Sequence, residues 1–485
     1  MKKYFFLIFL IFFSFSLFSQ SFEDALRYSR NYSFGTARSL GMSGAFGALG
    51  ADMSCGSINP AGLAIFNSQN YNFSILYGTV YSESDYYGSV DKDSYKHYLN
   101  LPNFGLVFSD NTDKDKRLNI GITYNKLMDF ASTDLVSGFN SQSSLIDVFQ
   151  DYASGSLIND LNPFYESLAF WTDLIDLSDN TIDTNTNYYM YDNGSYSSSI
   201  SNPGSSQALN RETSGSLNEL VFSVSNSYLD RFYFGLGLGI SIIDYKQYDS
   251  YFEGGFSDSL SSLNNFSFNS DLHTSGAGFN FKLGSIIRLT DNFKLGFSYH
   301  SKTYYDLEDI WETRINSNFD NISYSDYSPL GYYDYKLRTP AKLIISSSFV
   351  NKFVVLSCDI ESINYSKSSL HDSYDSFDYE NDSISNYLSS ALNTKIGIEF
   401  NVKGFKVRGG FASYGNPYND LSMIENYNYS FGLGFNSKFR YFDIAFVNRF
   451  TSQDVYLYNS NYTSPANISR NSQDFIFTLG WRIPN

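Results

Sequence analysis

Cysteine is nearly absent from this 485-residue chain, which holds only Cys55 and Cys358, far apart and outside any CxxC pair. That excludes a disulfide-stapled fold and a thiolate metal centre, and leaves two readings, a single disulfide between the pair in an oxidising compartment or, the preferred expectation, two unpaired small apolar residues. Histidine is almost as scarce. His97, His273, His300 and His371 show no spacing that would pair them with a serine or gather them round a metal, so no catalytic residue, metal or cofactor is expected. Runs of Lys and Arg are missing too, and 33 basic against 50 acidic residues leave a net charge of −17. A nucleic-acid partner needs a cationic face to release counterions, so that class is excluded. Nor is there a run of about 20 apolar residues able to cross a bilayer as a helix.

The longest apolar run, Tyr4 to Leu17, follows Lys2 and Lys3 and closes on Ser19. It reads as a secretory signal peptide over residues 1–19, cleaved near Ser19 or Gln20. What the chain has in excess is aromatic: 42 Tyr and 45 Phe. On a water-soluble surface such rings would make large adhesive patches, whereas at a lipid interface they are stabilised at headgroup depth.

Beyond residue 70 the pattern has period two. Phe232, Phe234, Leu236, Leu238, Ile240 and Ile242 share one face, with Tyr233, Gly235, Gly237, Gly239 and Ser241 on the other. The same alternation places Tyr427, Tyr429, Phe431, Leu433 and Phe435 together, and Phe293, Leu295, Phe297 and Tyr299. Fourteen strands are predicted: 71–82, 97–109, 117–130, 215–228, 231–247, 272–288, 292–316, 332–349, 352–368, 388–401, 404–415, 427–436, 439–453 and 472–483. Short polar turns such as 229–230, 350–351 and 402–403 alternate with long connections, among them 83–96 and the longest, 131–214. An all-β transmembrane antiparallel barrel follows over 69–485, with both termini in the periplasm of a bacterial outer membrane. Closure is required because lipid offers unpaired backbone groups no hydrogen bonds. The last strand, with Phe475, Phe477, Leu479, Trp481 and Ile483 outward, resembles the signal read by the barrel insertion machinery, although it ends on Pro484 and Asn485.

Residues 20–68 do not alternate but form Gly/Ala-rich compact turns. No Gly-Lys-Ser/Thr follows, so a phosphate loop is excluded. The run Gly41 to Gly47, which includes Gly44, then Ala51-Asp52 and Ser57-Ile58-Asn59-Pro60-Ala61-Gly62-Leu63, resembles the N-terminal hatch of the FadL/TodX outer-membrane transport proteins. Ala25-Leu26-Arg27-Tyr28-Ser29 and Gly35 to Gly41 are similar to the branch found in Bacteroidetes-type bacteria, and Leu337-Arg338-Thr339-Pro340 and Arg408-Gly409-Gly410-Phe411 extend the likeness along the chain. The resemblance implies a fourteen-stranded barrel, a plug built on Asn59, Pro60 and Ala61, and passive transport of long-chain fatty acids or aromatic hydrocarbons. It also implies lateral release at a kink in the third strand, near Asn125 and Lys126. Lys126 follows Leu118, Ile120, Ile122 and Tyr124 on the lipid face, as a gate marker or as a lysine reaching the headgroups.

The loop 131–214 carries a helical, apolar stretch that includes Phe149, Phe170 and Trp171, either a ligand groove at the mouth or a self-packed lid. Strand phasing puts Lys336, Arg338, Lys342, Asp359, Glu361, Lys395, Glu399, Lys406 and Arg408 in the lumen, mostly as mutually neutralising struts. Arg338 or Lys342 could hold a ligand carboxylate, and His300 is either a pocket residue or polar filler. The expected partners are a hydrophobic small molecule, outer-membrane lipid and lipopolysaccharide, for a monomer. The rival reading is a surface receptor or adhesin that grips a partner or haem through its long loops.

Overall fold

The computed structural model describes residues 22–32, 34–110, 115–178, 182–183, 188–189, 194–258, 261–373, 376–419 and 425–483. The signal-peptide segment 1–19 lies outside the described residues. Fourteen antiparallel strands close into a transmembrane barrel. They are β1 (Gln69–Tyr86), β2 (Ser89–Asp110), β3 (Lys116–Asp129 and Ser132–Asn140), β4 (Ser205–Tyr228), β5 (Phe232–Gly254), β6 (Leu263–Arg288) and β7 (Phe293–His300 and Tyr304–Phe319). The ring continues through β8 (Gly331–Arg338 and Lys342–Val350), β9 (Val354–Asn364 and Ser369–His371), β10 (Ser390–Val402), β11 (Phe405–Ser413), β12 (Asn426–Asn436), β13 (Arg440–Val455) and β14 (Ala466–Ile483). β14 returns to β1, in register from Gln69 opposite Ile483 to Asp85 opposite Asn467. Joining β14 to β1 removes the two terminal edges that an open sheet would present to lipid.

The alternation sorts side chains as the sequence implies. On β5, Phe232, Phe234, Leu236, Leu238, Ile240 and Ile242 are exposed on the outer wall, while Tyr233 and Ser241 are buried inside. β14 exposes Phe475, Phe477, Leu479, Trp481 and Ile483 and buries Thr478. Several strands are longer than expected. The connection placed at 83–96 is Tyr87–Gly88 alone, both with positive φ (49° and 81°), a two-residue hairpin turn whose twist matches its strands. The connection placed at 131–214 shortens to 141–204, because β3 resumes at Ser132 and β4 begins at Ser205. The strands run past the hydrocarbon into water, where outward positions turn polar and the lipid stripe that marks them in the sequence stops.

Four strands are interrupted. β3 breaks at 130–131, β7 at 301–303, β8 at 339–341 and β9 at 365–368. Each of the last three exchanges the inward and outward parity. On β8, Tyr335 and Leu337 face in before the break, and Ile344, Ser346 and Ser348 face in after it. Pro340 has no N–H for the ladder and restricts Thr339, so the strand cannot run through. Lys336 and Arg338 therefore lie on the exposed outer face, correcting the expectation that both line the lumen.

Inside the barrel lies the N-terminal segment: α1 (Phe22–Ser29), α2 (Ala37–Leu40), α3 (Cys55–Ile58) and a 3₁₀ turn, Pro60–Ile65. Cys55 is buried in this plug and Cys358 is half-buried on β9, and the two are not bonded. Lumen-facing glycines let plug backbone touch wall backbone. A Cβ added at Gly235 would sit 2.3 Å from the Ala61 nitrogen, and one at Gly284 2.1 Å from Asn59 Oδ1. Gly284→Val is expected to lower stability by about 1–3 kcal/mol through overpacking, read as an earlier urea midpoint for the detergent-solubilised barrel.

Candidate functional site: a filled lumen and an interrupted wall

From mouth to floor the lumen is layered. At the mouth, α4 (Leu145–Ala153) and α5 (Glu166–Trp171) form a cap whose apolar side meets Tyr251, Phe266 and Ile315 of the wall. Ser144 and Asp147 close a capping box at the start of α4, and Glu253 on β5 accepts from the Leu145 N–H at 3.1 Å, anchoring that end of the helix to the barrel. Phe149 and Phe170 are buried in this cluster, whereas Trp171 is 58% exposed beside Phe170. The two phenylalanines thus pack the lid, and Trp171 alone of the three is exposed.

Below the cap two bidentate ion pairs line the inner wall: Arg211 with Asp249, directly opposite on neighbouring strands, at 2.8 and 2.7 Å, and Arg470 of β14 with Asp134 of β3 at 2.8 and 2.6 Å. Charges removed from water are tolerated when their hydrogen bonds are met this fully. Beneath them is a second apolar layer, in which Ala25, Leu26 and Tyr28 of α1 pack against Phe130, Ile243, Tyr245, Tyr305 and Leu337. Arg27 lies 4.4 Å above the Tyr245 ring and pairs with Asp24. Under α1, Tyr28, Ser57, Glu219, Lys282, His300 and Lys342 line an enclosed cavity of about 50 Å³. That holds about three water molecules and no fatty chain. Passage of a hydrophobic molecule requires α1 and the cap to move.

The floor is the plug, fixed by its motif. Asn59 Oδ1 accepts from the Ala61 N–H at 3.1 Å, capping the 3₁₀ turn with Pro60 at its first position. Its Nδ2 donates to the Gly47 carbonyl at 2.7 Å and reaches the wall carbonyls of Ser285 and Phe297 at 3.3 and 3.4 Å. Ala61 is small because Gly235 and Gly284 press against it. Gly44, at φ 77°, donates to the Ser39 carbonyl at 2.9 Å in the preceding turn. His300 Nε2 is 3.0 Å from the Ile58 carbonyl, so this residue ties wall to plug.

The lumen charges are engaged. Glu361 takes Lys395 at 3.3 Å, Lys342 at 3.6 Å and the Asn393 amide at 2.9 Å. Asp359 accepts from the Gly47 N–H at 2.9 Å. Glu399 stands directly opposite Arg408, with Lys406 its diagonal neighbour, and binds them at 2.7 and 2.8 Å. Phasing from the sequence overlooks Arg38 of the plug, 3.5 Å from Glu399, and the Glu219–Lys282 pair. The last two sit on inward positions of β4 and β6, and the same parity argument extended to those strands finds them.

The wall is incomplete on one side. The ladder between β2 and β3 runs from Asp110 opposite Leu118 to Asn103 opposite Asn125 and stops there. A register shift between Lys126 and Met128 and the break after Asp129 turn the upper part of β3 inward, where Ser84 Oγ donates to the Leu135 carbonyl at 2.6 Å. Lys126 is therefore 3% exposed and bonded to Asp129 at 2.7 Å, not lipid-facing as expected. Asn100 also binds Asp129, so side chains rather than backbone span the gap. Asn125 accepts from the Asn103 amide at 2.7 Å and donates to Ser57 Oγ at 3.0 Å, linking the edge of the gap to the plug.

A plugged fourteen-strand barrel with apolar layers above its floor is the class of fold this geometry defines. The chain superposes on a Pseudomonas aeruginosa FadL homologue over 94% of its own length and 99% of the other, with a TM-score of 0.56 at 13% identity. On the P. putida toluene transporter TodX the values are 94%, 100%, 0.51 and 13%, and on the CymD monoaromatic hydrocarbon channel 93%, 98%, 0.50 and 11%. The sequence matches no family model and no curated protein. The chain shares the FadL/TodX fold.

Asn59→Ala removes the cap, takes from the Gly47 carbonyl its 2.7 Å donor and breaks the two longer bonds to the wall. The expected cost is about 1–3 kcal/mol, with ion conductance in planar bilayers rising above that of the parent as the plug loosens.

Proposed function

We propose that the chain is a passive outer-membrane transporter that admits hydrophobic small molecules at its capped mouth and releases them sideways into the membrane. The observation that carries this reading is the side-chain-bridged gap between β2 and β3, which opens beside the apolar layer around α1. An apolar molecule gains nothing by entering an aqueous exit below the plug, whereas a lateral step returns it to hydrocarbon. The fold shared with a FadL homologue, a toluene transporter and a monoaromatic hydrocarbon channel supports the same substrate class, long-chain fatty acids or aromatic hydrocarbons. In this reading Asn125, Lys126, Asn100 and Asp129 form the gate, Trp171 meets the ligand first, and Lys342, in the cavity under α1, is a candidate for holding a carboxylate that reaches that depth. The protein acts as a monomer with periplasmic termini and no catalytic chemistry.

The test is uptake of labelled oleate and toluene by cells lacking their own carriers and expressing the chain with Cys55→Ala and Cys358→Ser. In the further variant Asn100→Cys with Asp129→Cys, a short reducible dithiol cross-linker is expected to bring uptake close to background, and reduction to restore it. Uptake unchanged by cross-linking overturns the lateral gate. A folded parent barrel that takes up neither probe overturns transport and favours a receptor.

A further inference from the structure

The outer wall of β7–β9 carries a charge pattern that movement through the lumen does not use. Below the strand interruptions its large outward side chains are apolar, Phe297 and Tyr299 on β7, Ile345 on β8 and Ile360 on β9, with the small Ser347 and Ser362 among them. At the interruptions and just above them stand Lys302, Lys336, Arg338 and Lys367. The register gathers them, since Tyr304 is opposite Arg338, Arg338 opposite Ser369, and Lys336 opposite His371. The Thr339 N–H bonds the Thr303 carbonyl at 3.0 Å, which sets Lys302 beside the same joint. The charges of Arg338 and Lys302 both act on the His371 ring.

These cations are not used up by neighbouring acids. Lys336 is matched to Asp306 at 3.4 Å, but among the described residues no carboxylate lies within ion-pair distance of Lys302, Arg338 or Lys367. The Arg338 guanidinium is 5.7 Å from the centre of the Tyr304 ring, which leaves its hydrogen-bonding edge free. On a chain of net charge −17 these cations gather beside the outward acids Asp306, Glu308 and Asp334, of which Asp306 is matched to Lys336, and they stand on the side of those acids that faces the apolar belt. They also stand at the upper border of the apolar belt, the depth of lipid headgroups.

We propose that this face binds the phosphate of a lipid headgroup in the leaflet at the capped rim. Arg338 supplies the planar fork that fits phosphate oxygens, Lys302 and Lys367 add point charges on either side, and the acyl chains lie along Tyr299, Ile345 and Ile360 below. The apolar track directly beneath the cations favours a lipid over free phosphate. The proposal rests on the barrel spanning a membrane and is independent of what crosses its lumen.

The test is native mass spectrometry of the folded barrel in detergent with bisphosphorylated lipid A, the same lipid after phosphatase treatment, or inorganic phosphate. The parent is expected to retain the bisphosphorylated lipid at least several-fold better than the dephosphorylated one. The variant Lys302→Gln/Arg338→Gln/Lys367→Gln is expected to lose that preference while keeping the heat-dependent electrophoretic shift of a folded barrel. Single variants provide the comparison if the triple variant does not fold, each expected to weaken retention. Equal retention of the two lipids, equal retention by parent and folded variants, or full displacement by millimolar inorganic phosphate overturns the proposal.

Discussion

Backbone hydrogen bonding in a solvent that offers none is the constraint on which the rest of this structure depends. Each amide between the two rims must find its partner within the wall, so the sheet joins its first strand to its last. Once the ring is closed, the pleat leaves one set of side chains outside and one inside. The outer set becomes aromatic and aliphatic because hydrocarbon is its solvent, and the inner set is left to the contents of the lumen.

Those contents explain the inner residues level by level. Along β5 the inward positions pass from Tyr251 at the cap, through Tyr245 and Ile243 beside α1 and Gly239 and Gly237 beside the Glu219, Asn280 and Lys282 side chains, to Gly235 against the plug. Large rings fill the space where helices leave gaps, and glycine stands where plug backbone meets wall backbone. The charged residues follow the same logic: among the described residues Glu361 and Glu399 are held by opposite charges on neighbouring strands, and Asp359 by a plug amide that ties floor to wall. Between β2 and β3 the wall is held by side chains rather than by the ladder.

Much of this was legible in the sequence, because lipid contact and pleating write a period-two stripe that survives as long as a strand is unbroken. The outward runs of β5, β12 and β14 are read directly, and so is the Asn59-Pro60-Ala61 turn, whose residue types are dictated by a cap, a fixed φ and a tight contact. Parity fails where backbone leaves the ladder. Arg338 and Lys342 are four residues apart and look alike in phase, yet the Pro340 interruption puts one outside and the other inside. Lys126 is misplaced for the same reason, since a bulge turns it inward, and no local signature such as Gly or Pro marks that bulge. The strand extensions beyond the membrane are invisible to a lipid-based reading, because Glu83 and Asp91 suit a loop as well as a solvated strand.

Closure itself is most directly tested by joining the two ends of the ring. Tyr71 on β1 lies opposite Trp481 on β14, although they are far apart in sequence. With the native cysteines replaced, Tyr71→Cys and Trp481→Cys are predicted to form a disulfide within one molecule of the membrane-inserted protein, seen as a monomeric band with altered mobility that reverts on reduction. Failure of the pair to join, or joining only between separate chains, would contradict a closed barrel.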